Sequence, residues 1–80
     1  MQIELKCIQS GGGWNWLFEW RPANNGGIWR HINQNKVAPK QSNPDFMFTY
    51  REALNRVLKG ETVRVNADFE HGRLLIEGYP

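Results

Sequence analysis

Residues 14–21 read Trp-Asn-Trp-Leu-Phe-Glu-Trp-Arg, and the aromatic rings of this run stand at positions 14, 16, 18 and 20. Because a β-strand sends alternate side chains to the same face, the pattern predicts a strand with one almost wholly aromatic face. The residues between the rings are mostly polar, as in strands that bury one face only. The aromatic face therefore belongs either to a core or to a binding surface. We expect a core, since so short a chain has to bury the large side chains that it has.

Length and composition limit the class of protein. Eighty residues suffice for one small domain, which we expect to span residues 1–80. Cys7 is the only cysteine, which excludes an internal disulfide and a cysteine-based zinc site, and we interpret it as a small apolar strand residue. The single cysteine favours a reducing compartment, and no apolar run approaches the length of about 18 residues that a membrane span needs. We therefore expect a cytoplasmic protein without membrane association.

Three other segments alternate apolar and polar residues and are predicted to be strands. They are residues 2–9, 62–69 and 74–79. The segment Glu70-His71-Gly72 between the last two is predicted to be a turn.

A further strand is predicted immediately after the aromatic one. Pro22 ends the aromatic strand, because proline cannot donate a hydrogen bond to a ladder. The segment Asn24-Asn25-Gly26-Gly27 favours a tight hairpin turn, so the next strand should start near Ile28 and pair back. The facing of residues 28–33 is ambiguous, since Arg30 shares one side with both isoleucines. We predict that Ile28 and Ile32 face inward.

One helix is predicted from a capping box and an apolar stripe. Thr49 and Glu52 have the spacing in which each side chain satisfies a free backbone N–H at a helix start. Phe48 is expected to pack against Ala53 as a hydrophobic staple, and Gly60 to end the helix in the left-handed conformation. The stripe has the spacing i, i+3, i+4, i+7 and i+8 and comprises Tyr50, Ala53, Leu54, Val57 and Leu58.

The predicted element order is β-β-β-α-β-β. Residues 33–46 are polar, contain two prolines and lack a usable period, so they are predicted to form a long loop. One amphipathic helix and several one-sided strands indicate an α+β fold, a two-layer sandwich with the helix packed on a mostly antiparallel sheet.

The sequence offers little to support catalysis, a metal or a cofactor. The triple glycine at residues 11–13 is followed by a predicted strand, whereas a phosphate-binding loop opens a helix. His31 and His71 have no metal-ligand spacing. Cys7 lies in an alternating strand without the surroundings of a nucleophile. We therefore expect a protein that is not an enzyme and has no catalytic residues, no metal and no cofactor.

The charge is concentrated in the middle of the chain. Residues 20–60 contain seven lysines and arginines against two acidic residues, a local charge of +5 in a protein of net charge +2. Loops on a rigid scaffold often carry function, and Trp and Arg dominate interface energetics. The predicted partner-binding residues are Trp29, Arg30, His31, Lys36 and Lys40, with Arg51 and Arg56 of the helix as flanks. The other possible site is the helix-free face of the sheet around Leu17, Arg64 and Leu75.

These observations favour a small non-enzymatic protein-binding module, a stand-alone inhibitor or adaptor of the type that phages and other mobile elements encode. The alternative is a small nucleic-acid-binding domain that uses the basic segment 20–60. In order of elements only, the chain resembles DNA-binding modules with three strands followed by a helix, such as plant AP2-type domains and the arm-binding domains of phage integrases. Their motif residues are absent, so the resemblance implies no role for any residue. A homodimer is a third reading, because a sheet with one helix leaves edges open for self-pairing.

Overall fold

A computed structural model of the protein describes residues 1–9, 16–24 and 26–78. In these ranges the chain forms one α-helix, one short 3₁₀ turn and a six-stranded sheet. The elements are β1 (Gln2–Gln9), β2 (Leu17–Pro22), β3 (Arg30–Asn33), the 3₁₀ turn (Gln34–Lys36), β4 (Val37–Pro39), α1 (Pro44–Leu58), β5 (Val63–Glu70) and β6 (Arg73–Gly78). The predicted α+β class, with one helix packed on a mostly antiparallel sheet, is confirmed. No helix in the described ranges is long and apolar enough to span a bilayer.

The strands lie in the order β3-β2-β1-β5-β6-β4. All neighbours are antiparallel except β4 and β6, which run parallel. The two edge strands, β3 and β4, follow one another in the chain with only the 3₁₀ turn between them. Four residue steps reach at most about 14 Å, whereas five strand spacings in a flat sheet come to about 24 Å. The sheet is therefore strongly curled, and its two edges approach each other at the 3₁₀ turn.

The inner face of the curl holds the core, and the aromatic alternation of β2 lies in it. Phe18 is fully buried and Trp20 retains 7% of its exposure. Trp16 is partly buried against the core, and Trp14 lies outside the described residues. The expectation that these rings form a core is confirmed for Phe18 and Trp20. The other buried residues from the strands are Ile3, Leu5, Ile32, Val37, Val63, Val65, Ala67, Leu74 and Ile76.

The helix stripe covers this core as predicted. Ala53 and Val57 are buried, and the remaining stripe residues pack on the core partly buried. The helix start, however, was predicted wrongly. Asn43 is the N-cap and accepts a hydrogen bond of 2.9 Å from the Phe46 N–H, with proline in the first helical turn. Thr49 lies inside the helix, where its hydroxyl donates to the Asp45 carbonyl.

The predicted hydrophobic staple at the start of the helix is absent, whereas the predicted glycine at its end is present. Phe48 is 71% exposed. It lies inside the helix, on the side away from the core, and therefore does not form the predicted staple with Ala53. Gly60 has a φ of +97°, which confirms the predicted left-handed helix end.

The connection between β2 and β3, and the strand β3 itself, also differ from the prediction. Arg30 pairs with Trp20, and β3 begins at Arg30 instead of near Ile28, so the connection from Pro22 is longer than the predicted tight turn. Asn25, in the predicted turn, lies outside the described residues. Ile28 precedes β3 and is 88% exposed, whereas Ile32 is buried. The inward prediction is therefore right for Ile32 and wrong for Ile28, because a position before the strand has no place in its alternation.

The segment 33–46 is not one long loop. It contains the 3₁₀ turn and β4, a three-residue strand that pairs with β6. Sequence alternation cannot detect so short a strand, particularly one that ends at Pro39. The final hairpin was predicted correctly: His71 and Gly72 both have positive φ, at 53° and 73°, and connect β5 to β6.

Candidate functional site

The curl leaves an open cleft beside the edge strand β3. Its volume is about 420 Å³. It lies between β3, the 3₁₀ turn and the tip of the β5–β6 hairpin. The lining residues are Trp20, Arg30, His31, Ile32, Asn33, Lys36, Phe69 and Gly72. Three of the seven predicted partner-binding residues therefore meet at this cleft.

An aromatic pair lines one part of the cleft. The rings of Trp20 and Phe69 stack with their centroids 5.7 Å apart and their planes at 28°. Trp20 is buried, whereas Phe69 is 51% exposed, although it belongs to the inward alternation of β5. The Phe69 ring is therefore an apolar surface that the solvent reaches. The Arg30 guanidinium lies 5.9 Å from the centroid of the Trp20 ring, within the range of a cation–π interaction.

Two of the cations at the cleft have no acidic partner in the described part of the chain. Within the described residues, no carboxylate lies within 4.0 Å of the side-chain nitrogens of Arg30 or Lys36. His31 does have a partner, since its Nε2 lies 3.3 Å from Glu19 Oε2. Arg30 and Lys36 thus present positive charge that no carboxylate of the described chain neutralises.

The backbone of β3 adds hydrogen-bonding groups at the same place. The Gln34 N–H donates to the Trp16 carbonyl at 2.9 Å, and the β2–β3 register continues from that pair. Because hydrogen-bonded and non-hydrogen-bonded pairs alternate in an antiparallel ladder, Ile32 and Arg30 also bond to β2. The N–H and C=O groups of His31 and the N–H of Asn33 therefore point away from β2, toward the open edge, whereas the Asn33 C=O, at the cap of the 3₁₀ turn, accepts within that turn.

The structure places Trp29 away from the cleft residues. Its ring, partly buried, lies 4.2 Å from Lys6 Nζ and 4.4 Å from the Arg21 guanidinium carbon. Both cations belong to the outer face and are paired there: Arg21 donates to Glu4 at 2.8 Å, and Lys6 lies 3.7 Å from Glu19. Trp29 thus covers a network of charged side chains on the outer face.

Lys40 is likewise engaged elsewhere. Its ammonium donates to Asp68 and, at 3.3 Å, to Glu77. These hydrogen bonds raise the pKa of Lys40, and the Lys40 bond lowers the pKa of Asp68. Lys40 follows β4, whereas its partners lie on β5 and β6, so this cluster fastens the short edge strand to the sheet.

The two helix arginines do not line the cleft. Arg51 is exposed on α1, and Arg56 is bonded to Glu61, with Nη2 3.2 Å from Oε1. The sequence prediction missed Phe69 and Trp20 as site residues, because their alternation marks them as core. The one available signal was the position of Phe69 next to the hairpin turn, where an inward ring has little to cover it.

No group of three His, Cys, Asp or Glu side chains suited to a metal ion occurs in the described ranges. No protein-family model, curated protein or solved structure matches this chain.

Proposed function

We propose that this protein is a non-enzymatic binding module that recognises an acidic segment of a partner protein at the cleft beside β3. The observation that carries the proposal is that Arg30 and Lys36, which have no carboxylate partner in the described ranges, lie next to the exposed ring of Phe69. Carboxylates would interact with the cations, and an apolar side chain would cover the ring. An inhibitor or adaptor needs no more than such a surface, because it acts by occupying the partner.

The distribution of charge favours a protein over a nucleic acid. Three cations outside the cleft, Lys6, Arg21 and Lys40, each have an acidic partner. Within the described residues, the lysines and arginines that line the cleft are only two, Arg30 and Lys36. Binding along a phosphate backbone draws on many cations in a row, whereas a short acidic segment requires only a few.

A nucleic-acid-binding domain stays the second candidate, because one observation favours it. The exposed Phe69 ring with Arg30 and Lys36 nearby has the elements of a stacking platform for an unpaired base. Such a site would hold one or two nucleotides.

The proposal is tested by charge reversal with a matched control. The native chain serves as bait to capture its partner, and binding of the purified partner is then measured by calorimetry. The variant R30E/K36E should weaken binding at least tenfold, with a smaller difference at high salt. The control R51E/K59E changes the net charge equally at exposed positions in and directly after α1 and should bind like the parent. Equal binding by R30E/K36E would refute the cleft as the site, and nuclease-sensitive capture would favour the second candidate.

A further inference from the structure

The open edge of β3 adjoins the cleft, and the two features suggest a mode of binding. The edge presents the N–H and C=O groups of His31 and the N–H of Asn33, as the ladder alternation requires. An exposed edge is a template for another strand. In this chain the edge is flanked by Arg30 and Lys36, which have no carboxylate partner in the described ranges.

We infer that the partner segment binds as an added β-strand along the edge of β3. This inference rests on the proposed function, because it specifies how the acidic segment occupies the cleft. The backbone of the segment would pair with the outward groups of His31 and Asn33. Main-chain hydrogen bonds then supply affinity, and alternate side chains supply specificity.

The two faces of the added strand would meet different surroundings. Side chains on its inner face share that face with Arg30 and Ile32 and reach the cleft with the exposed Phe69 ring. Side chains on its outer face lie beside His31. The best occupant is therefore an extended segment with a large apolar side chain on the inner face and acidic residues near the cations.

The charge of the edge also argues against self-pairing as the occupant. A second copy of β3 would bring its own Arg30 and Lys36 to an edge that already carries these two cations. Like charges opposite each other in a sheet are unfavourable, and charged side chains on an edge strand hinder edge-to-edge association. An acidic strand has the complementary charge.

The test uses a synthetic nine-residue peptide whose odd positions are meant for the inner face: phenylalanine stands at the centre and aspartate at the other odd positions, with threonine at the even positions. Two further peptides carry N-methyl groups at the odd or at the even positions. Only alternate N–H groups of an added strand face β3, and a shift of one residue would turn the phenylalanine and the aspartates outward. One methylated peptide should therefore bind at least tenfold more weakly than the parent peptide, whereas the other should bind within about threefold.

Binding is followed by the amide chemical shifts of the ¹⁵N-labelled protein, which should change at His31 and Asn33. Equal binding of both methylated peptides, or no peptide binding at millimolar concentration, would overturn the inference. So would a dimer in sedimentation whose β3 amides are protected from exchange. The proposed function is judged separately: if R30E/K36E loses the captured partner while the methylated peptides bind alike, the cleft is the site and strand addition is wrong.

Discussion

Trp20 and Phe69 stack at 5.7 Å although their strands, β2 and β5, are separated in the sheet by β1. A flat sheet would hold next-nearest strands about 10 Å apart. The contact therefore depends on the curl of the sheet, and the curl in turn depends on the short link between the two edges. The buried Trp20 ring holds the exposed Phe69 ring in place, so Phe69 stays at the cleft without being covered by other side chains.

We expect Phe18→Ala to destabilise the fold severely. The ring is fully buried at the centre of the core, and removing it should cost about 3–5 kcal/mol through lost burial and the cavity left behind. The change is measured as the free energy of unfolding in urea. The control Phe48→Ala removes a ring that is largely exposed and should shift this free energy by less than about 0.5 kcal/mol. Similar losses in both variants would show that the core assignment is wrong.

The helix cap gives a second prediction. Asn43→Ala removes the side-chain oxygen that accepts from the Phe46 N–H and should lower the free energy of unfolding by about 1 kcal/mol. Thr49→Ala removes only a hydroxyl that donates to a carbonyl already inside the helix, so its effect should be smaller. The reverse order in chemical denaturation would place the helix start at Thr49 after all.

The hairpin between β5 and β6 gives a third prediction. Both of its central residues have positive φ, as in the turn type for which Asn-Gly is the preferred pair. His71→Asn should therefore raise the melting temperature, since asparagine tolerates this conformation better. Gly72→Ala should lower the stability by about 1–2 kcal/mol, because a Cβ is strained there even though no neighbouring atom would meet it. Unchanged stability in the alanine variant would contradict the turn.

The Lys40 cluster predicts a pH dependence. Its hydrogen bond holds the pKa of Asp68 below the ordinary value of 3.8. A carboxyl whose pKa is lowered by folding stabilises the fold above its unfolded pKa and loses that contribution as the pH falls through the folded value. Lys40→Met should therefore raise the pKa of Asp68, measured from its carboxyl carbon shift. The stability difference from the parent should be present at neutral pH and vanish in acid.

The matched control for this experiment is Lys36→Met, which removes a lysine without a carboxylate partner in the described ranges. It should leave the titration of Asp68 unchanged. If the pKa of Asp68 is the same in the parent and in Lys40→Met, the cluster does not form in solution.

Much of this fold follows from local patterns. The alternation of β1, β2, β5 and β6 and the stripe from Tyr50 to Leu58 were readable because each is long enough to show its period. The helix start was misplaced because Thr49 and Glu52 imitate a capping box, while Asn43 followed by proline is an equally good cap. The short strand β4 was missed because its existence depends on β6, a partner far away in the sequence.

The candidate site was only partly predictable for a related reason. Charge density identified Arg30 and Lys36, but it equally suggested Lys40, which the fold pairs with Asp68 and Glu77. Whether a cation is neutralised depends on tertiary contacts that a linear sequence does not record. The same limit applies to Phe69, whose inward position is visible in the alternation and whose exposure is not.

The link of three residues between β3 and β4 sets the distance between the two edges of the sheet, and with it the width of the cleft. Width and chemistry are thus encoded in separate parts of the chain. An insertion between Asn33 and Val37 would admit a bulkier ligand while leaving Trp20, Arg30 and Phe69 unchanged. Loop length is therefore a quantity through which evolution, or a protein engineer, could alter the ligand range of this scaffold without redesigning its core.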